Sequence, residues 1–266
     1  MVIAAHGIAE SAGSRGVTRV GLVRLGVLTS LVLLLELCCR AGVIDPLAVL
    51  PPSEMVAAMV EQLASGEMTA NMLHTVLTIL AAFAASVALG TVVGAAVHGL
   101  GRLRRVTDPL LASYYAVPTF IFYPLLVAFL GLGMAPLVVL GVLSAAPAVV
   151  ISTLAGLDSV PPVLRKVARM QRLGRLRTLW HIILPAALPR LFGGFKLALS
   201  YALIGVIAGE FILSGSGLGY AISFAYQSFD NRAMYGLMLF VLLIAVTANG
   251  VLYAWEGRLA RRRLRQ

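Results

Sequence analysis

This sequence predicts an all-α polytopic membrane protein with about six transmembrane helices, and two observations carry that prediction. The 266 residues are 60% hydrophobic and 12% charged, with a mean hydropathy of +0.94, more apolar surface than one water-soluble core could bury. The charges are also clustered. A net charge of +10 in a soluble chain would point to nucleic acid, but here the basic residues sit in short groups between apolar runs, as in loops that face the cytoplasm. No nucleic-acid partner is expected, and the spans are expected to take lipid as their neighbour.

Residues 1–20 carry Arg15 and Arg19 in a mixed stretch and are expected to form a cytoplasmic tail. The first apolar run, Gly21 to Ala41, follows. Arginines before a leucine-rich run also describe a secretory signal, but Glu36 interrupts the run and no small-x-small cleavage site follows it. Residues 42–73 hold Asp45, Glu54, Glu61 and Glu67 with no lysine or arginine, and so should lie outside. Pro46, Pro51 and Pro52 punctuate this interval, and Ser53 is placed to cap a short amphipathic helix from Glu54 to Ala64.

A second span, Leu73 to Leu100, has Gly90 and Gly94 at the spacing of a small-xxx-small packing face. It ends at Arg102, Arg104 and Arg105. The third span, from Asp108-Pro109 to Leu130, contains Tyr114, Tyr115 and Tyr123 and is interrupted by Pro118 and Pro124. Such prolines are tolerated in a bilayer where neighbouring helices or water satisfy the freed carbonyls, which places this span beside a path. After Gly131-Leu132-Gly133 comes a fourth span, Met134 to Gly156, closed by Asp158 and Pro161-Pro162. The fifth, Leu197 to Leu213, contains Tyr201 and Glu210, and GSGLGYA after Ser214 reads as an outer loop. The sixth runs from Met234 to Trp255 into Arg258 and Arg261-Arg262-Arg263-Leu264-Arg265, a basic tail over 257–266.

With both termini inside, the basic residues fall at the N-terminal side (Arg15, Arg19, Arg24), in 101–107, in the island from Arg165 to Lys196 and beyond Arg258; of the 21, only Arg40 and Arg232 fall outside. Every alternating interval obeys the positive-inside bias.

Fourth and fifth spans are joined by RKVARMQRLGRLRTLWHIILPAALPRLFGGFK, the basic island around which the chain is organised. Arg165, Lys166, Arg169, Arg172, Arg175 and Arg177 recur at helical steps, while Leu164, Val167, Ala168 and Leu176 occupy other faces, an amphipathic helix over Arg165 to Leu176. Pro185 and Pro189 should then turn the chain before Gly193-Gly194. The arginines alone also fit topology markers or attraction to anionic lipid.

Catalytic chemistry is not indicated. His6, His74, His98 and His181 lack metal-ligand spacing with cysteine or carboxylate, adjacent Cys38 and Cys39 do not ordinarily bridge, and Ser216 has no histidine base after it. There is no GxxxxGK[ST] loop, so ATP chemistry by that route belongs to another subunit. No cofactor is expected. Glu36 and Glu210 are the acidic residues inside spans, where a carboxylate at the bilayer centre costs roughly 2.5–3.5 kcal/mol and defaults to a functional reading. At about 1.5 Å per residue, Glu210 lies roughly 20–24 Å along its span, toward the outer boundary, and the sequence names no partner for it. Tyr114, Tyr115, Tyr123 and Tyr201 fit a solute route and equally fit the interfacial aromatic belt.

From Asp45 onward the chain resembles the inner-membrane permease subunits of binding-protein-dependent ABC importers, the nitrate, sulfonate, taurine and bicarbonate branch. The similarity rests on Leu50-Pro51-Pro52-Ser53, on Asp108-Pro109-Leu110-Leu111, on Glu210 followed by Ser216-Gly217-Leu218-Gly219-Tyr220, and on the cytoplasmic signature. Alignment on Leu184-Pro185 puts Lys166-Val167-Ala168 where the family has E-A-A and Arg172 where it has glycine; Ala168, Arg169, Ile182 and Leu184 to Pro189 match. The resemblance implies a type I importer permease fold in a bacterial inner membrane and a multi-pass, non-enzymatic transport subunit. It implies four kinds of partner: a cytoplasmic ATPase dimer, a second permease chain in a homodimer, an external solute-binding protein and lipid. The implied ATPase-coupling residues are Lys166, Ala168, Arg169, Arg172, Gly174, Leu184 and Pro185 within a segment spanning 158–196 of a permease domain spanning 21–266. Lys166 reverses the usual charge, and Gly174 is placed to supply the flexibility lost at Arg172. Tyr114, Pro118, Tyr201 and Glu210 are the candidates for the translocation path of a small solute, a sulfonate- or nitrate-type anion or a related organic compound. The alternative from another class is an ion-coupled secondary transporter, which would show inverted repeats and intramembrane ionisable pairs.

Overall fold

The computed structural model describes residues 3–45 and 48–263, with side chains except at 3–20, 175–176 and 259–263. Pro46, Leu264 and Arg265, and the side chains of His6, Arg15, Arg19, Arg175, Leu176 and Arg261 to Arg263, lie outside the described residues. The elements are α1 (Ile3–Arg40), α2 (Pro52–Ser65), α3 (Thr69–Gly99), α4 (Gly101–Tyr114), α5 (Tyr123–Leu130), α6 (Met134–Asp158), α7 (Pro162–Met170), α8 (Arg175–Thr178), α9 (Leu184–Leu213), α10 (Leu218–Gln227) and α11 (Asn231–Arg263). Among the described residues five helices are long and apolar enough to cross a membrane, and α4 with α5 makes a sixth, broken span bent by 93°. The expectation of about six spans therefore holds, with one of them broken.

α6 is the axis of the bundle, packed between α3 and α9. Ile79 and Ala82 from α3, Ala145 and Val149 from α6, and Ala198, Leu199, Ala202, Leu203 and Val206 from α9 form the central buried cluster. Lipid gives little hydrophobic drive for helices to associate, so close packing through small residues takes its place. A Cβ at Gly90 would sit 2.6 Å from the Val149 Cβ, and one at Gly94 2.7 Å from the Thr153 Cβ. The small-xxx-small pair is thus the face α3 turns to α6.

The backbone of α1 is helical from Ile3, and its membrane-length apolar part runs Gly21–Arg40. Three sequence expectations are corrected. Ser53 does not cap α2, whose first residue is Pro52. Instead its hydroxyl donates to Glu36 Oε1 at 2.7 Å, and Arg40 pairs with the same carboxylate at 2.5 Å, fastening the outer end of α1 to α2. GSGLGYA is not simply a loop: Leu218 starts α10, which packs on α9 and α11. Nor does the chain turn at Leu184 to Pro189. There α9 runs unbroken for 30 residues, about 45 Å at 1.5 Å per residue. That exceeds a ~30 Å hydrocarbon core, so the lower turns with both prolines stand on the cytoplasmic side, where water takes the freed carbonyls. Pro185 falls in the first turn of α9, where an amide is not needed, and a π turn at Leu179–Ile183 leads into it.

Candidate functional site

The basic island folds as a short exposed helix fastened to the two central helices. Pro161 and Pro162 start α7, Pro162 within its first turn, where a missing amide costs nothing. Ala168 is buried on the inner side of the helix, and Val163, Val167 and Met170, one turn apart, face outward with Met170 83% exposed. Lys166 and Arg169 lie along one side of that apolar stripe, while Arg165 turns back toward α6. The helix stops at Met170, short of the Leu176 that helical spacing suggested. The Arg172 amide bonds to the Arg169 carbonyl at 3.0 Å and the Leu173 amide to the Ala168 carbonyl at 3.0 Å, a Schellman ending in which Arg172 takes the left-handed position with φ 52°. Glycine is the usual occupant because a Cβ is disfavoured there. Arg172 itself therefore makes the bend, while Gly174 lies further along the turn without a positive φ.

Behind α7 the chain is tied down. Val160 is buried against Ala187 and Leu191 at the base of α9, with Ile183 and Leu184 packed on them. The Arg165 guanidinium donates to the Leu157 carbonyl at 3.1 Å, and that of Arg190 to the Ala155 carbonyl at 3.2 Å. Asp158, the last residue of α6, takes both guanidinium nitrogens of Arg104 at 2.7 and 2.5 Å and lies 3.3 Å from His98 Nδ1. One carboxylate thus gathers the inner ends of α3, α4 and α6 directly above α7.

The broken span climbs from that inner rim. The Tyr114 hydroxyl donates to the Leu143 carbonyl at 2.8 Å, and the Thr119 and Ser144 hydroxyls are 2.7 Å apart. Leu143 and Ser144 are about ten residues into α6, hence about 15 Å from its outer end. The interval from Tyr115 to Pro118 is thus irregular backbone at mid-depth. Pro118 removes an amide at this point and Thr119 to Phe122 forms a tight 3₁₀ turn into α5. Across the break the rings of Tyr115 and Tyr201 stack, 5.2 Å apart and 28° between planes, and Tyr114 meets Tyr115 edge-on at 6.2 Å. Of the four path candidates, the fold brings Tyr114, Pro118 and Tyr201 together here.

Glu210 is elsewhere, fully buried near the outer end of α9. Thr75 donates to its two oxygens at 2.9 and 2.8 Å, the Gly219 amide to Oε2 at 3.0 Å, and His74 Nδ1 lies 3.4 Å from Oε1. The Leu218 amide donates to Thr75 Oγ1 at 2.8 Å and the Gly217 amide to Asn71 Oδ1 at 2.9 Å. The carboxylate and its hydroxyl relay therefore satisfy the first amides of α10, the end of a helix that attracts negative charge. Gly217 has φ +103°, and a Cβ there would run into the Glu210 carboxylate; one at Gly219 would lie 2.6 Å from the Glu210 Cβ. The Gly-Leu-Gly spacing and the glutamate are parts of one joint. Glu210, for which the sequence named no partner, has partners in Thr75, His74 and α10. Their signal was the spacing of Asn71, His74 and Thr75, one polar stripe on the outer turn of α3. The sequence reading also passed over the contacts of Asp158, whose partners lie 54 residues or more away in sequence, and the outward Val163 and Met170.

Against known proteins, residues 86–265 match the model of the binding-protein-dependent transport system inner membrane component family. A probable ABC transporter permease protein of Haemophilus influenzae is 36% identical over 152 residues, 57% of this chain and 60% of that protein. The taurine transport system permease protein TauC of Escherichia coli is 27% identical over 81% of this chain and 80% of its own length. The riboflavin transport system permease protein RibX of Chloroflexus aurantiacus is 31% identical over 60% of this chain and 58% of its own length. The chain thus spans less than two thirds of the Haemophilus and Chloroflexus proteins. Among solved structures, the inward-facing MetNI methionine ABC transporter shares the fold, with a TM-score of 0.56 and 21% identity over 73% of this chain and 97% of that one. With the family model matched over more than half its length, the chain belongs to the binding-protein-dependent transport system inner membrane components, multi-pass ABC transporter permeases of the cell membrane.

Proposed function

We propose that this chain is the permease subunit of an ATP-driven importer, forming the translocation path for a small solute and coupling to a separate ATPase through α7. The observation that carries the proposal is the outward stripe of Val163, Val167 and Met170 beside Lys166 and Arg169, on a helix that Arg165 ties back to the end of α6. An apolar stripe on a cytoplasmic helix that its own chain leaves uncovered fits a groove in a soluble partner, and the basic flank fits an acidic rim on that groove. Lys166, Ala168, Arg169, Arg172, Gly174, Leu184 and Pro185 are proposed as the coupling set. Ala168 is the buried face of the helix, Leu184 packs beside Val160 at the helix entrance, Arg172 and Gly174 shape its exit, and Lys166 and Arg169 face the partner. The ATPase pair, a second copy of this chain across the path and an external solute-binding protein complete the assembly. A small anion of the sulfonate or nitrate type, or a related small organic compound, is the proposed cargo, in keeping with relatives named for taurine and riboflavin transport.

The test is an affinity pull-down of the tagged chain from mildly solubilised membranes with mass spectrometry of what accompanies it. Recovery of an ATPase, lost on scrambling residues 165–176 or on pairing Val167→Asp with Met170→Asp, is the expected result. A correctly inserted protein that never retains an ATPase would overturn the proposal and move the weight to an ion-coupled transporter.

A further inference from the structure

Resting on the importer reading, and narrowing its two cargo classes to the organic one, we infer that the aromatic bracket at the break of the third span is the solute contact, and that its solute is a planar ring compound without net negative charge. Irregular backbone at membrane depth is stable only where protein covers it or where it borders a water-filled space. Tyr115 to Pro118 is such backbone, level with Leu143 and Ser144, and Tyr115 is 43% exposed there. Its ring stacks on Tyr201, yet neither phenol hydroxyl hydrogen-bonds to another described residue. In hydrocarbon, two such hydroxyls would be a standing cost; on a solute route they are the polar ends of two aromatic plates.

The charges at this level decide the class of solute. Between the inner rim and Glu210 the described residues of α3, α4, α6 and α9 offer a single basic side chain, Lys196. Its ammonium is already 2.5 Å from Glu256 and 4.8 Å from the centre of the Tyr253 ring. A nitrate or alkylsulfonate passing the bracket would meet electron-rich ring faces and no free cation, whereas a flat heterocycle would meet surfaces suited to stacking and hydroxyls suited to its edge heteroatoms. The rings now lie on each other, so entry of such a solute separates the plates of α4 and α9 and takes the place of one in the stack.

The experiment uses the full chain in lipid nanodiscs with whatever ATPase co-purifies. Its probes are an unphosphorylated flavin, an aminopyrimidine, methanesulfonate and nitrate; quenching of flavin fluorescence reports that ligand, saturation-transfer NMR the aminopyrimidine and the methanesulfonate, and competition against bound flavin the nitrate. Empty nanodiscs set the background. At least one ring compound is expected to bind, within twofold of wild type in Tyr201→Phe and Tyr115→Phe, which keep the ring, and at least tenfold more weakly in Tyr201→Ala. The proposal is overturned if no ring compound binds, if Tyr201→Ala leaves ring binding unchanged, or if methanesulfonate or nitrate binds and loses affinity in Tyr201→Ala. ATPase retention is read on the same samples. Its persistence in every tyrosine variant keeps failure of this inference distinct from failure of the importer reading.

Discussion

Replacing Glu210 by alanine removes the acceptor on which the outer end of α3 and the first turn of α10 converge. In the native protein the side chain is fully buried, with two hydroxyl contacts from Thr75 and the Gly219 amide on it. After truncation the Gly219 amide and the Thr75 hydroxyl remain buried, and each buried donor left without an acceptor costs about 1–3 kcal/mol. Thr75 also accepts from the Leu218 amide and can rotate only within that constraint, so the combined loss is about 2–5 kcal/mol, less than a simple addition of separate groups. For a chain of this size each kcal/mol moves the melting midpoint by roughly 2–4 °C. The expected outcome is a fall of about 5–15 °C in Glu210→Ala and a smaller fall in Glu210→Gln, which keeps one oxygen for the Gly219 amide. Thermal unfolding of the tagged protein in mild detergent, followed by size exclusion, gives the midpoint, and proteolysis between Ser214 and Asp230 reports on α10 itself. A Glu210→Ala protein melting within about 2 °C of wild type, with α10 no more susceptible to protease, would refute the account of the carboxylate as the joint between α3, α9 and α10.

Four further outcomes follow from the same geometry. Arg172→Gly should raise the melting midpoint by a few degrees, since relieving a left-handed non-glycine residue is worth about 1 kcal/mol. By contrast Arg172→Glu should leave the midpoint unchanged and reduce ATPase recovery in the pull-down; equal recovery would remove Arg172 from the coupling face. Gly94→Leu, whose Cβ would fall 2.7 Å from the Thr153 Cβ and 3.1 Å from the Val150 carbonyl, should cost about 1–3 kcal/mol as α3 and α6 are forced apart. Gly99→Ala, open on every side within 4 Å, is the control, and equal yields of monodisperse protein from both would contradict the packing seam. Asp158→Asn should retain the ATPase but lower ATP-driven uptake in reconstituted vesicles, because α7 stays exposed while the link from Asp158 to Arg104 and His98 is weakened; unchanged uptake would show that the coupling runs through α9 alone.

The membrane class and the approximate spans were determined by the amino-acid sequence alone, because hydropathy acts locally and needs no tertiary context. The packing face at Gly90 and Gly94 was legible for a related reason: absence of a side chain is itself a sequence feature, and in lipid it marks where another backbone approaches. So was α7, whose apolar and basic residues separate at helical spacing. What only the folded chain decided are the features that depend on where another segment lies. Whether Pro185 and Pro189 break a helix turned on α9 extending below the bilayer, where water takes the carbonyls that prolines release. Whether Arg172 could stand in a glycine position turned on the Schellman bonds that hold it there. Glu210 could be read in sequence as a path carboxylate or as part of a packing network, and the difference lies with Thr75, 135 residues earlier, and with the amides of a helix that the glycines had made look like a loop. Tyr114, Tyr115 and Tyr201 likewise fitted an interfacial belt until a 93° break placed them at mid-depth. Local composition sets how deep a residue can sit, but the energy of a buried carboxylate or an open tyrosine is set by its neighbours, and those come from distant parts of the chain.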